Sequence, residues 1–195
     1  MRRLILIRHS LPDLDLGRPA REWRLSDEGR RRCQLLTERL ADQKVMRVVA
    51  SQEPKASETG RLVAGQLGVP FETAPGLHEH ERRTVGPAAS QEEFRAQVVK
   101  ALENPSDLVL GEETAGEAHR RFAAAVADVI SRYSEGNLAI VSHGTVMALF
   151  VARAAGLDAV AFWRQLGLPG YVVLSLPDYQ LVDAAHDLGE MTLKA

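Results

Sequence analysis

Within its 195 residues the chain has one cysteine, four lysines and no apolar run long enough to span a membrane, and each scarcity closes off a class of protein. Cys33 cannot form an internal disulfide, so the fold does not depend on an oxidising compartment. It lies on a predicted helix beside Leu36, which reads as a core position rather than a nucleophile. A membrane span needs about 18 or more apolar residues in succession. The opening Met1-Arg2-Arg3 with its four following apolar residues meets a charge at Arg8, too soon for a signal peptide. The expected location is cytoplasmic. A net charge of −2 with 26% charged residues offers neither a basic surface for nucleic acid nor an acidic tail for a charged partner. No repeat, low-complexity tract or linker divides the chain, and its length suits one well-buried domain over 1–195. Cations are overwhelmingly arginine, so a lysine inside a motif stands out.

What is present is an alternation of short apolar runs with helical periodicity. A strand at about 3–8 leads into an irregular stretch at 10–24. A helix follows with Ser26 as N-cap and Cys33, Leu36 and Leu40 on one face. The second strand runs from Val45 to Ala50, and Pro54 opens a helix carrying Ala56, Val63 and Leu67. A third strand is expected around 69–74, then a loop over 75–89 containing Pro75, Gly76, Gly86 and Pro87. Helices at about 90–103 and 114–133 come next. A strand ending at Val141 feeds a helix that stops at Gly156, and strands at Tyr171–Leu176 and Gln180–Ala184 flank the turn Pro177-Asp178. This order predicts an α/β fold: a three-layer α/β/α sandwich around a mainly parallel sheet. The apolar C-terminal strands form an edge that could pair between copies as a homodimer, leaving oligomeric state open.

Two histidines each follow a buried-looking strand where the chain turns into a helix. Leu4-Ile5-Leu6-Ile7 precedes Arg8-His9-Ser10, and Leu138-Ala139-Ile140-Val141 precedes Ser142-His143-Gly144. Ligands of such sheets collect beyond the carboxyl ends of the strands, where helix N-termini present free N–H groups and partial positive charge. Two imidazoles and an arginine there suit an anion, most simply a phosphoryl group.

Between the two histidines lie Ser51-Gln52-Glu53-Pro54-Lys55-Ala56-Ser57-Glu58-Thr59 and Leu77-His78-Glu79. The four elements together, in this order over nearly the whole chain, resemble the histidine phosphatase superfamily, its phosphoglycerate-mutase-like branch. The resemblance implies that His9 is the nucleophile, that Arg8 neutralises phosphate oxygens, and that His143 supports the transferring group. It implies Glu79 as general acid, a role that calls for a carboxyl with a raised pKa. His80 or Glu81 could take that role if the loop register differs. Family members usually carry Gly where this chain has Ser10, and Arg where it has Lys55. A lysine is a point charge without the bidentate fork of arginine, so phosphate affinity or orientation would differ. Lys55 in the first helical turn opposes the macrodipole, which is easier to explain if an anion binds there.

Arg82 and Arg83 are candidate contacts to a second anionic group, and the segment at about 78–115 is expected to cover the substrate. Arg18, Arg21, Trp23 and Arg24 lie where a pocket rim could form, with solvated arginines the simpler reading. Gly144 and Thr145 could lend their N–H groups to the anion. Glu117 reads as helix-start chemistry. A neutral imidazole is nucleophilic near neutral pH and needs neither metal nor cofactor. The resemblance therefore implies a metal-independent phosphomonoesterase acting on a small phosphorylated substrate, with no nucleic-acid or membrane partner. Three alternatives stand beside it. One is a mutase-like phosphotransferase and one a non-catalytic phospholigand-binding protein. The last is a metal hydrolase built on His78 and His80.

Overall fold

The computed structural model describes residues 1–15, 17–85 and 90–185. Six strands form one sheet: β1 (Arg3–Arg8), β2 (Val45–Ser51), β3 (Phe71–Ala74), β4 (Asn137–Ser142), β5 (Gly170–Ser175) and β6 (Leu181–Ala185), in spatial order β3-β2-β4-β1-β5-β6. The first four run parallel, β5 runs antiparallel to β1, and β6 antiparallel to β5. The helices are α1 (Asp27–Leu40), α2 (Pro54–Leu67), α3 (Gln91–Glu103), α4 (Ala115–Arg132), α5 (Gly144–Ala155) and α6 (Ala159–Gln165), with short 3-10 turns at Ala20–Glu22 and Ala41–Gln43. The Gly86-Pro87 part of the expected loop lies outside the described residues. No helix among the described residues is long and apolar enough to cross a membrane.

Side chains alternate across each strand, and the two faces of the sheet collect two cores. Leu4, Leu6, Leu138, Ile140, Val172 and Leu174 pack with Phe122, Val126 and Val129 of α4 and with Val146, Met147 and Phe150 of α5. Ile5, Ile7, Val48, Ala50, Ala139, Val141 and Val173 pack with Leu36 and Leu40 of α1 and with Ala56 and Val63 of α2. Leu4 to Ile7 have no exposed surface, and burial of each such side chain contributes roughly 1.5–3 kcal/mol. The strand that delivers His9 is therefore firmly held.

Local signals account for the helix ends. Ser26 caps α1 by accepting from Gly29 N–H, and Thr114 and Glu117 form a reciprocal capping box at α4, the helix-start role read for Glu117. Pro54 is the first residue of α2, and Gly68 and Gly156 end α2 and α5 in the left-handed conformation. Cys33 is fully buried, and burial pushes its thiol up to about 11, as befits a core group. The short α6 was not expected; Asp158 caps it by accepting from Ala161 N–H.

One topological fact positions the site. Strands β1 and β4 are parallel neighbours, yet the helix after β1 covers one face of the sheet and the helix after β4 covers the other. Open α/β sheets form their ligand crevice where chains leave adjacent strand ends in opposite directions, and both histidines directly follow these two strand ends.

Candidate active site

His9 continues the ladder one residue past β1, its N–H bonding the Ser142 carbonyl at 2.9 Å. Its ring is nearly buried, with Nδ1 2.8 Å from the Ser10 carbonyl. A carbonyl can only accept, so Nδ1 carries the proton and Nε2 keeps its lone pair. His143, fully buried, lies beside it with ring centroids 5.2 Å apart and planes inclined by 60°. Burial, then the charges of Lys55, His143 and Arg8, hold the His9 pKa well below its ordinary value despite the Ser10 carbonyl. Burial and Lys55 do the same for His143, against an opposing pull from Glu79. Both imidazoles are thus neutral near pH 7.

Ser10 occupies the usual glycine position without strain. Its φ is not positive, its N–H donates to Thr59 Oγ1 at 3.0 Å, and its hydroxyl donates to the Gly29 carbonyl at 2.7 Å. The chain comes so close there that a Cβ on Gly29 would lie 2.1 Å from the Leu11 carbonyl oxygen. Arg8 reaches under the start of α5, where a Cβ on Gly144 would meet its guanidinium at 3.0 Å. Its Nη1 donates to the Leu166 carbonyl, while its buried Nε has no protein partner. Burial lowers the Arg8 pKa to about 10, against the pull of Glu79, so it stays cationic at neutral pH.

Lys55 is not a solvated surface lysine: it is 5% exposed. Its ammonium lies 2.5 Å from a Glu53 carboxylate oxygen and donates to the Ala20 carbonyl at 2.8 Å, which ties the 3-10 turn at Ala20–Glu22 to α2. Two of its three donors are engaged and one remains.

Glu79 behaves differently from expectation. Its carboxylate accepts from the backbone N–H of His80 at 2.9 Å, Thr145 at 3.1 Å and Val146 at 3.2 Å, closing the N-terminus of α5. The Thr145 N–H expected to serve an anionic ligand is therefore engaged by Glu79. Burial raises the Glu79 pKa, but Arg82, His143 and these N–H groups outweigh it and bring it down to about 2. A raised carboxyl pKa is thus corrected to an ionised carboxylate: donors aimed at the charged form beat desolvation.

Of the other candidates, Arg82 stacks over Phe94 at 4.8 Å, and Arg83 is exposed and pairs with Glu81 at 2.8 Å. His80 is buried with neither ring nitrogen hydrogen-bonded to protein, and burial lowers its pKa. At the rim, Arg18 and Arg21 are exposed and pair with Asp15 and Glu22. Arg24 lines a shallow groove with Gln52, Ser57 and Arg61.

Three further residues complete the site: Ser51, read in the sequence only as a motif match, and two that carry no expected role. Ser51 Oγ is 2.9 Å from His143 Nε2. Arg121 of α4 donates to the carbonyls of Gly76, His78 and Glu79 and pairs with Glu113, stapling the loop that carries Glu79. Glu53 pairs with Lys55, accepts from Glu79 N–H at 3.0 Å and lies 3.7 Å from His143 Nε2. Ser51 matches its motif, Glu53 lies in the same stretch without an expected role, and Arg121 leaves no sequence signal.

The neutral imidazoles make an acid-stability prediction. In the unfolded chain each histidine takes a proton near pH 6.5, so their contribution is complete above about 6.5 and is lost as pH falls below it. The slope is at most about 1.4 kcal/mol per pH unit for each histidine. Glu79 adds a second loss only lower, between about 4.5 and about 2. Urea midpoints at pH 7.5 and 5.5 should show the first loss, and His143→Asn should flatten it. Equal midpoints at the two pH values would contradict the neutral pair.

Comparison with known proteins gives the fold and the family. A probable phosphoglycerate mutase, GpmB, of Yersinia pestis (strain Pestoides F) is 27% identical over 186 residues, covering 88% of this chain and 85% of the relative. A mycobacterial glucosyl-3-phosphoglycerate phosphatase solved with VO3 superposes with a TM-score of 0.73 at 21% identity, covering 96% of this chain and all of that one. Bacillus stearothermophilus YhfR superposes at 0.74 with 18% identity, covering 96% of this chain and 98% of that one. These two superpositions carry the mostly parallel α/β fold. The family model described as histidine phosphatase superfamily (branch 1) matches residues 4–181, and the chain belongs to that superfamily.

Proposed function

We propose that the protein is a metal-independent phosphomonoesterase working through a phosphohistidine on His9. The observation that carries this reading is the His9 tautomer: with Nδ1–H tied to the Ser10 carbonyl, the Nε2 lone pair is the ring's reactive end, beside a second neutral imidazole and a buried arginine. His9 Nε2 attacks phosphorus as the ester oxygen leaves with the bonding pair. Arg8, Lys55 and His143 take up charge on the phosphoryl oxygens. Water then attacks the phosphohistidine, releasing inorganic phosphate and restoring the imidazole.

The leaving oxygen needs a proton, and Glu79 is the proposed donor. A phosphomonoester has its second pKa near 6, so part of the substrate arrives as the monoanion. The incoming negative charge raises the Glu79 pKa, and the shared proton passes through its carboxyl to the leaving oxygen. Segment 78–115, with Arg82 and Arg83 as further anion contacts, covers the small substrate.

A mutase is the second reading, favoured by the name of the Yersinia relative. Incubation with a labelled phosphomonoester should yield labelled inorganic phosphate and a transient, acid-labile label on the protein. Label moved instead to a second hydroxyl of an acceptor would establish the mutase. Absence of both turnover and labelled protein would leave a phospholigand-binding module.

A further inference from the structure

Glu53 is the N-cap residue of α2, yet its carboxylate makes no cap bond to its own helix. The shorter Asp, Asn, Ser and Thr side chains cap helices there by accepting from the second or third helical N–H, and the longer Glu53 side chain is free to reach further. Here the side chain, 12% exposed, reaches across the crevice instead. One oxygen lies 2.5 Å from Lys55 Nζ; the other accepts from Glu79 N–H at 3.0 Å and stands 3.7 Å from His143 Nε2. A cation, a backbone N–H and an imidazole form a cradle for an oxyanion, and an oxyanion of this chain is in it. Two carboxylates, Glu53 and Glu79, already offset most of the positive charge of Arg8, Lys55 and Arg82, with both imidazoles neutral. A phosphomonoester brings about −1.5 to −2 at pH 7. Adding that charge beside a fixed carboxylate in a buried site is unfavourable unless the carboxylate moves or takes up a proton.

We propose that Glu53 is a specificity-determining residue: its carboxylate competes with the phosphoryl group for Lys55 and His143, so that substrate binds only by displacing or neutralising it. This rests on the phosphoryl-site reading above. It makes the pocket selective against highly charged phosphate ligands and tolerant of singly charged ones. The Ser51 motif thus contains its own counter-anion two residues before its cation.

The test is inhibition of the full chain by orthovanadate and by inorganic phosphate, for the parent, Glu53→Gln and Glu53→Ala. Freeing one charge-assisted partner for the ligand should tighten both inhibitors about ten- to a hundredfold in each variant. A merely structural Glu53 would give the opposite, since loss of a strut loosens binding. Inhibition unchanged or weaker in both variants, with the parent still inhibited, would overturn the proposal and make Glu53 a support for Lys55. If neither parent nor variants bind either anion while melting as folded proteins, the phosphoryl-site reading itself falls and this proposal with it.

Discussion

His9→Ala should lower phosphoryl transfer by roughly 10⁴-fold or more while leaving the protein folded. Uncatalysed hydrolysis of phosphate monoesters is among the slowest reactions enzymes accelerate, by up to about 10²¹-fold, and loss of the attacking atom removes the covalent route. What would remain is the electrostatic support of Arg8, Lys55 and His143, which still binds the substrate but offers nothing to receive the phosphoryl group. The fold should survive because His9 stands just past the end of β1 rather than between the sheet and a helix, and the backbone N–H that continues the ladder to Ser142 is unaffected. Turnover of a phosphomonoester, protein labelling and thermal unfolding of the same preparation check this together. More than a few per cent residual activity, or undiminished acid-labile label, would remove His9 from its proposed role.

Glu79→Gln should separate the proposed proton donation from the helix-closing contacts of the same carboxylate. The proposed proton donation by Glu79 would contribute about 10²–10⁴-fold, and only where the leaving oxygen needs protonation. Turnover of alkyl phosphates should fall by that range, and turnover of nitrophenyl phosphate, whose leaving group departs as the stable anion, by far less. As the group closing α5, the carboxylate accepts from Thr145 and Val146, and the amide should weaken the fold by about 1 kcal/mol. Equal losses on both classes of substrate would make Glu79 a positioning residue that only holds His143 and its helix.

The parts legible in sequence are those where one short segment carries its own evidence. Leu4–Ile7 and Leu138–Val141 are continuous apolar runs closed by a charged or polar turn, so the parallel pair and the placement of His9 and His143 at its carboxyl end follow from local pattern. Lys55 was legible because lysine is rare here and because Pro54 marks the first helical position beside it. The antiparallel direction of β5 was not, because a strand buried on both faces reads the same in either direction. Helix α6 has seven residues, too few to display a helical period. Glu53 and Arg121 escaped for a different reason: each acts through long reach. Arg121 joins carbonyls more than 40 residues away, and Glu53 meets Glu79 and His143 across the crevice. The lowered pKa of Glu79 belongs to the same class, since its N–H partners at Thr145 and Val146 come from a distant helix.

The two imidazoles stand opposite each other on adjacent strands, each one residue beyond the paired Arg8 and Ser142. Their 5.2 Å separation is close to the roughly 4.8 Å between any two adjacent strands. The spacing of the two rings thus starts from backbone pairing common to all sheets, and no loop length enters it. The segments proposed to meet the rest of a substrate take no part in that pairing. A lineage can lengthen, shorten or recharge them as a workshop changes the facing of a clamp, while the jaws keep their spacing.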